Sequence, residues 1–170
     1  MYKLKNRDKD EVILFAVIHD KMKKYPLSLF LQSADIDEVE ISDKILNNFK
    51  QLAENNAIVE SFILEKEGYE IRIAHSFRSM TTYHRLKKQG KKPSVTSQHF
   101  FGEAVDCHIY YRGERIRGLS ETKHLAEEIL KEFPDLFLQV FAYQWGIHFS
   151  IETERSKKAG IRRRFGIVNR

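Results

Sequence analysis

Ser97-Gln98-His99-Phe100-Phe101-Gly102-Glu103-Ala104-Val105-Asp106 runs into Cys107-His108-Ile109-Tyr110-Tyr111, and how this stretch folds decides the rest of the chain. Residues 104–111, AVDCHIYY, are rich in β-branched and aromatic types, so a strand is expected there. Alternation puts Asp106, His108 and Tyr110 on one face and Val105, Cys107, Ile109 and Tyr111 on the other. A second run, Trp145-Gly146-Ile147-His148-Phe149-Ser150, sets Trp145, Ile147, Phe149 and Ile151 against Gly146, His148, Ser150 and Glu152. Two neighbouring strands can therefore aim Asp106 and His148 into one space. His99 enters from the preceding loop, where Gly102 permits a sharp bend. Two imidazoles and a carboxylate are a normal ligand set for catalytic zinc, which takes three protein ligands and keeps a fourth position open. Spacing by itself leaves a hydrogen-bonded structural role for each residue as the alternative.

Outward from this pair, residues 69–75 alternate Tyr69, Ile71 and Ile73 against Glu70 and Arg72, a strand that delivers Arg78 to its end. Before it, Ser42 is placed to cap a helix whose apolar stripe includes Ile45, Phe49, Leu52, Val59 and Ile63, running to about residue 66 and stopped by Gly68. Residues 79–88 read as a short helix. Residues 85–93, RLKKQGKKP, form a basic loop just before His99, either a solvated surface or a rim for an anionic polymer. Residues 112–118 read as a loop, and Ser120 as the cap of a second amphipathic helix closed by Pro134. Residues 136–143 and 144–153 are the last two strands, expected as an antiparallel pair. The fold class implied is α+β, a small antiparallel sheet with helices packed on one side.

The N-terminal part is read as an extension. Residues 1–10 are a polar lead-in, and 11–24, with the apolar VILFAVI, form a buried helix ending before Pro26, or one that faces a partner. Residues 26–41 are turn-rich. Their acids, Asp35, Asp37, Glu38 and Glu40, lack the register of a calcium loop and suit a solvated surface.

At 170 residues with 42% apolar content, the chain is long enough for one domain with a core of its own. Its single cysteine, Cys107, excludes an internal disulfide framework and suits a small core position. No apolar run approaches membrane-spanning length, and the VILFAVI run lacks the small-residue cleavage site expected of a secretory signal. Residues 155–170 carry seven Lys or Arg and no acid; removing those seven from 29 leaves 22 basic against 24 acidic residues, about −2. The high pI thus belongs to a tail after residue 154, which can bind nucleic acid, an anionic polymer or an acidic partner, or remain solvated.

The motifs together resemble a known family. SQHFFGEAVD followed by WGIHFS is similar to the S-x-H-x-x-G-x-A-x-D … W-x-H pattern of the D-Ala-D-Ala metallopeptidases, zinc enzymes with the hedgehog/DD-peptidase fold that cut peptidoglycan stem peptides. Ala74-His75-Ser76-Phe77-Arg78-Ser79 resembles the family's S-G-Y-R-S segment, and the likeness spans about residues 27–152. It implies zinc on His99, Asp106 and His148, Arg78 as the cation that holds a substrate carbonyl or carboxylate, and Ser97 as a supporting substrate contact. It also implies a general base, an acid a few residues before the last His. Here Tyr143 or Gln144 stands near that place and neither is acidic; Glu103 is a common filler inside the first motif, and Glu152 lies on the His148 face but beyond it. Two functions follow as expectations. One is a zinc peptidase of cell-wall peptides, phage-related and confined to the cytoplasm until lysis. The other is an inactive wall-binding or virion component that keeps the metal, with other virion proteins as partners.

Overall fold

The computed structural model describes residues 2–5, 13–18, 21–31 and 38–168. In chain order these form β1 (Tyr2–Lys5), β2 (Ile13–Ile18), β3 (Lys21–Pro26), β4 (Glu38–Ile41), α1 (Asp43–Leu64), β5 (Tyr69–His75) and α2 (Met80–Lys88). There follow β6 (Ala104–Tyr111), β7 (Glu114–Arg115), α3 (Leu119–Glu132), β8 (Gln139–Tyr143), β9 (Gly146–Ser150), α4 (Glu154–Lys158) and β10 (Arg164–Val168). The fold is α+β. Its main sheet has the order β10-β8-β9-β6-β5, with β7 paired to the end of β6.

Register explains the two faces of this sheet. Val105 pairs with Phe149, which pairs with Val140; Cys107 pairs with Ile147, which pairs with Ala142. All six are buried. Over this face lie α1, whose Asn56 accepts a hydrogen bond from the Cys107 thiol at 3.3 Å, and α3, whose Thr122 hydroxyl donates to the Tyr143 carbonyl at 2.7 Å. The next row, one residue along, is Asp106, His148 and Phe141, on the opposite face. A one-residue slip would exchange the two rows, so the apolar packing of Val105 and Ile147 is what places the polar pair outward. Gly146 makes this pairing possible, since a Cβ there would sit 2.0 Å from the Cys107 carbonyl oxygen.

Helix α1 forms as its sequence dictates. The Ser42 hydroxyl accepts from the Ile45 N–H at 3.3 Å, Asp43 lies in the first turn, and Phe49, Leu52, Ala53 and Ile63 are fully buried. Gly68 follows it at φ +81°, and β5 begins at the next residue.

Several expectations are corrected. Residues 11–24 hold no described helix; β2 and β3 pair antiparallel there, Ile13 opposite Pro26 and Ile18 opposite Lys21. A run such as ILFAVI, dense in β-branched residues, has too little helical preference to decide between the two states, and a pairing partner next in sequence favours the strand. The polar lead-in contributes β1, paired with β4. Asp35 and Asp37 lie outside the described residues. The sheet is mixed rather than antiparallel, because β10 runs parallel to β8, with Arg164 opposite Gln139 and Val168 opposite Tyr143. The segment after residue 154 is therefore built into the domain: α4 starts at a Thr153–Ser156 capping box, and β10 extends the sheet. Its charge hid its alternation. Residues 112–118 include β7, and α3 starts at Leu119 after Gly118, without a side-chain cap from Ser120.

Candidate metal centre

His99 reaches the site from a short 3-10 turn, Gln98–Phe101, that ends on Gly102 at φ +63°. A Cβ at Gly102 would lie 2.8 Å from the Phe49 ring, so glycine serves both the backbone and the packing. Asn48 of α1 donates to the Phe101 carbonyl at 2.9 Å, and the Arg78 N–H donates to the His99 carbonyl at 3.1 Å. The turn is thus pinned from below and from the side. Asp106 and His148 stand opposite each other on β6 and β9.

The three side chains converge. One ligand atom from each of His99, Asp106 and His148 lies within 4.8 Å of the others. Their side chains are only 7%, 13% and 12% exposed. His148 Nδ1 lies 2.8 Å from Asp106 Oδ1, and His99 Nε2 lies 3.4 Å from the same oxygen. Burial opposes ionisation of Asp106, but the His99 and His148 imidazoles outweigh it and hold its carboxyl well below the usual carboxylate range.

The hydrogen-bond inventory shows that a cation fits. His99 Nδ1 faces the Ser76 carbonyl at 2.6 Å. A carbonyl only accepts, so Nδ1 carries a proton, and a ring with no second proton presents a lone pair at Nε2. That lone pair faces a carboxylate oxygen, which also only accepts. Two acceptors so aimed require a proton or a metal ion between them. An imidazole whose far N–H is anchored on a backbone carbonyl is the usual way a metal-ligating histidine is oriented. The Ser76 hydroxyl in turn donates to the Ala104 carbonyl at 3.0 Å. Nitrogen and oxygen donors in this number suit zinc and its first-row neighbours.

The cluster opens into a cleft of about 500 Å³, lined also by Arg78, Ser97, Lys91, Lys92, Tyr143 and Trp145. Arg78, half-buried, borders an adjoining recess of about 190 Å³ that contains His75 and Thr82 as well. Burial lowers the Arg78 guanidinium from its ordinary value and the Asp106 charge opposes that; arginine remains a cation regardless. A break in the β5 register brings His75 into this recess. Ile73 pairs with Cys107 while His75 pairs with Asp106, so one extra residue is taken up on β5 and His75 faces the carboxylate.

The remaining acids are elsewhere. Glu103 is fully buried and bound by Arg155, whose Nε lies 2.9 Å from both carboxylate oxygens, and by the Thr153 hydroxyl at 2.5 Å. Glu152 pairs with Lys157 at 3.0 Å. Gln144 is exposed in the β8–β9 turn, and Tyr143 lines the cleft, stacked on Trp145 at 4.7 Å between ring centroids. Sequence reading missed Ser76 and Asn48, whose roles rest on contacts 23 and 53 residues distant and carry no local signal. It also missed Trp145, which alternation assigned to the face opposite His148; the β8–β9 turn places its ring in the cleft.

Fold and cluster together define an α+β domain with a two-histidine, one-aspartate cluster that could hold a metal ion. No family model matches the sequence, and no curated protein matches it. Among solved structures, the chain is similar to the L-Ala D-Glu endopeptidase ChiX of Serratia marcescens, with a TM-score of 0.48 and 18% identity, covering 73% of this chain and 97% of that one. No described helix is long and apolar enough to cross a membrane.

Proposed function

We propose that this chain is a metal-dependent peptidase of the D-Ala-D-Ala metallopeptidase type, hydrolysing amide bonds of peptidoglycan stem peptides with zinc on His99, Asp106 and His148. The observation that carries the reading is the convergence of those three ligand atoms within 4.8 Å, with His99 already anchored through its other nitrogen. Zinc, when bound, supplies an acidified water and a polarised carbonyl. Arg78, from the loop that closes the floor, binds the substrate carbonyl or carboxylate oxygen and the negative charge that grows there. Ser97, at the cleft wall, contacts the bound peptide. Ser76 and the β6–β9 pairing hold the ligand rings in place, so that little reorganisation is needed when substrate enters.

The test is metal analysis followed by turnover. The purified protein should contain about one zinc per chain, and His99→Ala with His148→Ala should remove it. Purified murein should then release new amino termini. A chain without bound metal, but folded, would end the reading.

A second reading is favoured by one observation: among the described residues lining the cleft and its recess, Asp106 is the only acid. Without a carboxylate base, the site can retain metal and substrate affinity while losing turnover, as a wall-binding or virion component. Metal-loaded protein that binds murein without cutting it would select this reading.

A further inference from the structure

We propose that Lys91 and Lys92 form a subsite for a free substrate carboxylate, so that the cleft selects stem peptides whose glutamyl α-carboxyl is ionised over those in which it is amidated. This rests on the peptidase reading above and narrows its substrate.

The two lysines are placed by the backbone. Helix α2 ends with Gly90 at φ +75°, its N–H donating to the Lys87 carbonyl at 3.0 Å, and the Lys91 N–H donates to the Leu86 carbonyl at 3.0 Å. These are the paired bonds of a Schellman termination, which fixes where the chain leaves the helix. Beyond it, the Ser94 hydroxyl accepts from the Thr96 N–H at 3.2 Å and shares a hydrogen bond with the Thr96 hydroxyl at 2.8 Å, and the Ser97 N–H donates to the Ser94 carbonyl at 3.3 Å. The segment between α2 and His99 is therefore a tied turn, and it holds Lys91 and Lys92 on one wall of the cleft.

Among the described residues neither lysine has a carboxylate partner, although ion pairs are common elsewhere on this chain. Tyr143, stacked on Trp145, lines the same cleft and carries no charge at neutral pH. With the scissile carbonyl of a bound peptide at Arg78, Lys91 and Lys92 are the other Lys or Arg side chains among the described residues lining the cleft that can take up an acidic group. Where the cleaved amide joins L-Ala to D-Glu, the neighbouring group that exists both charged and neutral is the glutamyl α-carboxyl, which an amide replaces without changing its size.

Trp145 is the only tryptophan, so its fluorescence reports occupancy directly. Full-length protein with its bound metal is mixed in stopped flow, before turnover, with L-Ala-γ-D-Glu-L-Lys or with the same peptide as the α-carboxamide. The acid should bind about tenfold tighter than the amide in low salt, as expected for two partly screened pairs, and the ratio should shrink in ~0.5 M NaCl. In the Lys91→Gln/Lys92→Gln variant the ratio should approach one while affinity for the amide and metal content stay as they were. Equal binding of acid and amide by the wild type, or a ratio that survives the double substitution, overturns this inference and leaves the peptidase reading intact. No response to either peptide overturns this inference, while the peptidase reading stands or falls on metal content and the release of amino termini from murein.

Discussion

Glu103 and Asp106 lie three residues apart in one segment, yet the fold treats them in opposite ways. Glu103 is fully buried and its two oxygens are taken by the Arg155 guanidinium and the Thr153 hydroxyl. Asp106 has no guanidinium or ammonium ion pair among the described residues; its nearest partners are two imidazoles, one of which presents a lone pair. A carboxylate satisfied by a permanent cation is architecture. A carboxylate satisfied only by groups that can exchange a proton for a metal is a site. The same contrast explains why Glu103, three residues from Asp106, is not available to the cleft: its carboxylate is held by Arg155 and Thr153.

The strongest way to test this contrast is Arg155→Ala. Removing one partner of a buried ion pair leaves an uncompensated charge, and the cost should be about 3–5 kcal/mol in urea unfolding. Metal content of the remaining folded protein should not change. A loss below about 1 kcal/mol would mean that Glu103 is not the structural member of the two.

Asp106→Asn comes next. Without metal it should destabilise less than Arg155→Ala, because the contacts altered are those to the His148 and His99 imidazoles and no guanidinium is left without its partner. With zinc at a hundredfold excess over its Kd, wild type should gain about 2.7 kcal/mol and the variant almost nothing. Acid sharpens the comparison. The Asp106 carboxyl is held below its ordinary value in the fold, so its contribution is present above about pH 4 and is lost as pH falls further. Metal-free wild type should lose stability more steeply below pH 4 than Asp106→Asn, and parallel acid curves would contradict the ion-pair account of this aspartate.

Gly102→Ala acts on the turn that precedes both carboxylates. The new Cβ meets the Phe49 ring at a positive φ, so roughly 1–3 kcal/mol should be lost, together with weaker metal binding as the His99 turn shifts. Unchanged metal affinity at that loss of stability would show that Gly102 serves packing alone.

Much of the site was legible because alternation is strict. Val105, Cys107, Ile109, Ile147 and Phe149 are buried as alternation places them, although Tyr111 at the strand end is exposed and Trp145 lines the cleft, and the cross-strand meeting of Asp106 and His148 followed from neighbouring strands in register. The strand of Arg78 and the α1 cap were readable for the same reason: each rests on residues close in sequence. What failed depended on distant partners. β10 carries Phe165 and Ile167 in alternation, but five arginines and lysines before it in residues 155–163 dominate the composition and read as solvated. β2 and β3 were misread because a short apolar run has no periodicity of its own, and the hairpin partner decides. The anchoring of His99 on Ser76 is a backbone contact, which side-chain identity does not encode.

Cys107 gives the smallest effect and the cleanest control. It adjoins Asp106 in sequence but belongs to the buried face, its thiol donating to Asn56 on α1. Burial, with the nearby Asp106 and Glu60 carboxylates adding to it, pushes the thiol well above its ordinary pKa, so it is neither a thiolate ligand nor a nucleophile at neutral pH. Cys107→Ala should cost about 1 kcal/mol, the worth of one weak hydrogen bond and an orphaned Asn56 oxygen, and should leave zinc content untouched. A thiol reagent at pH 8 should label wild type only as fast as the domain unfolds. Loss of metal in Cys107→Ala without loss of fold would mean that the two faces of β6 are not independent, and the separation between packing residue and ligand, one position apart, would have to be abandoned.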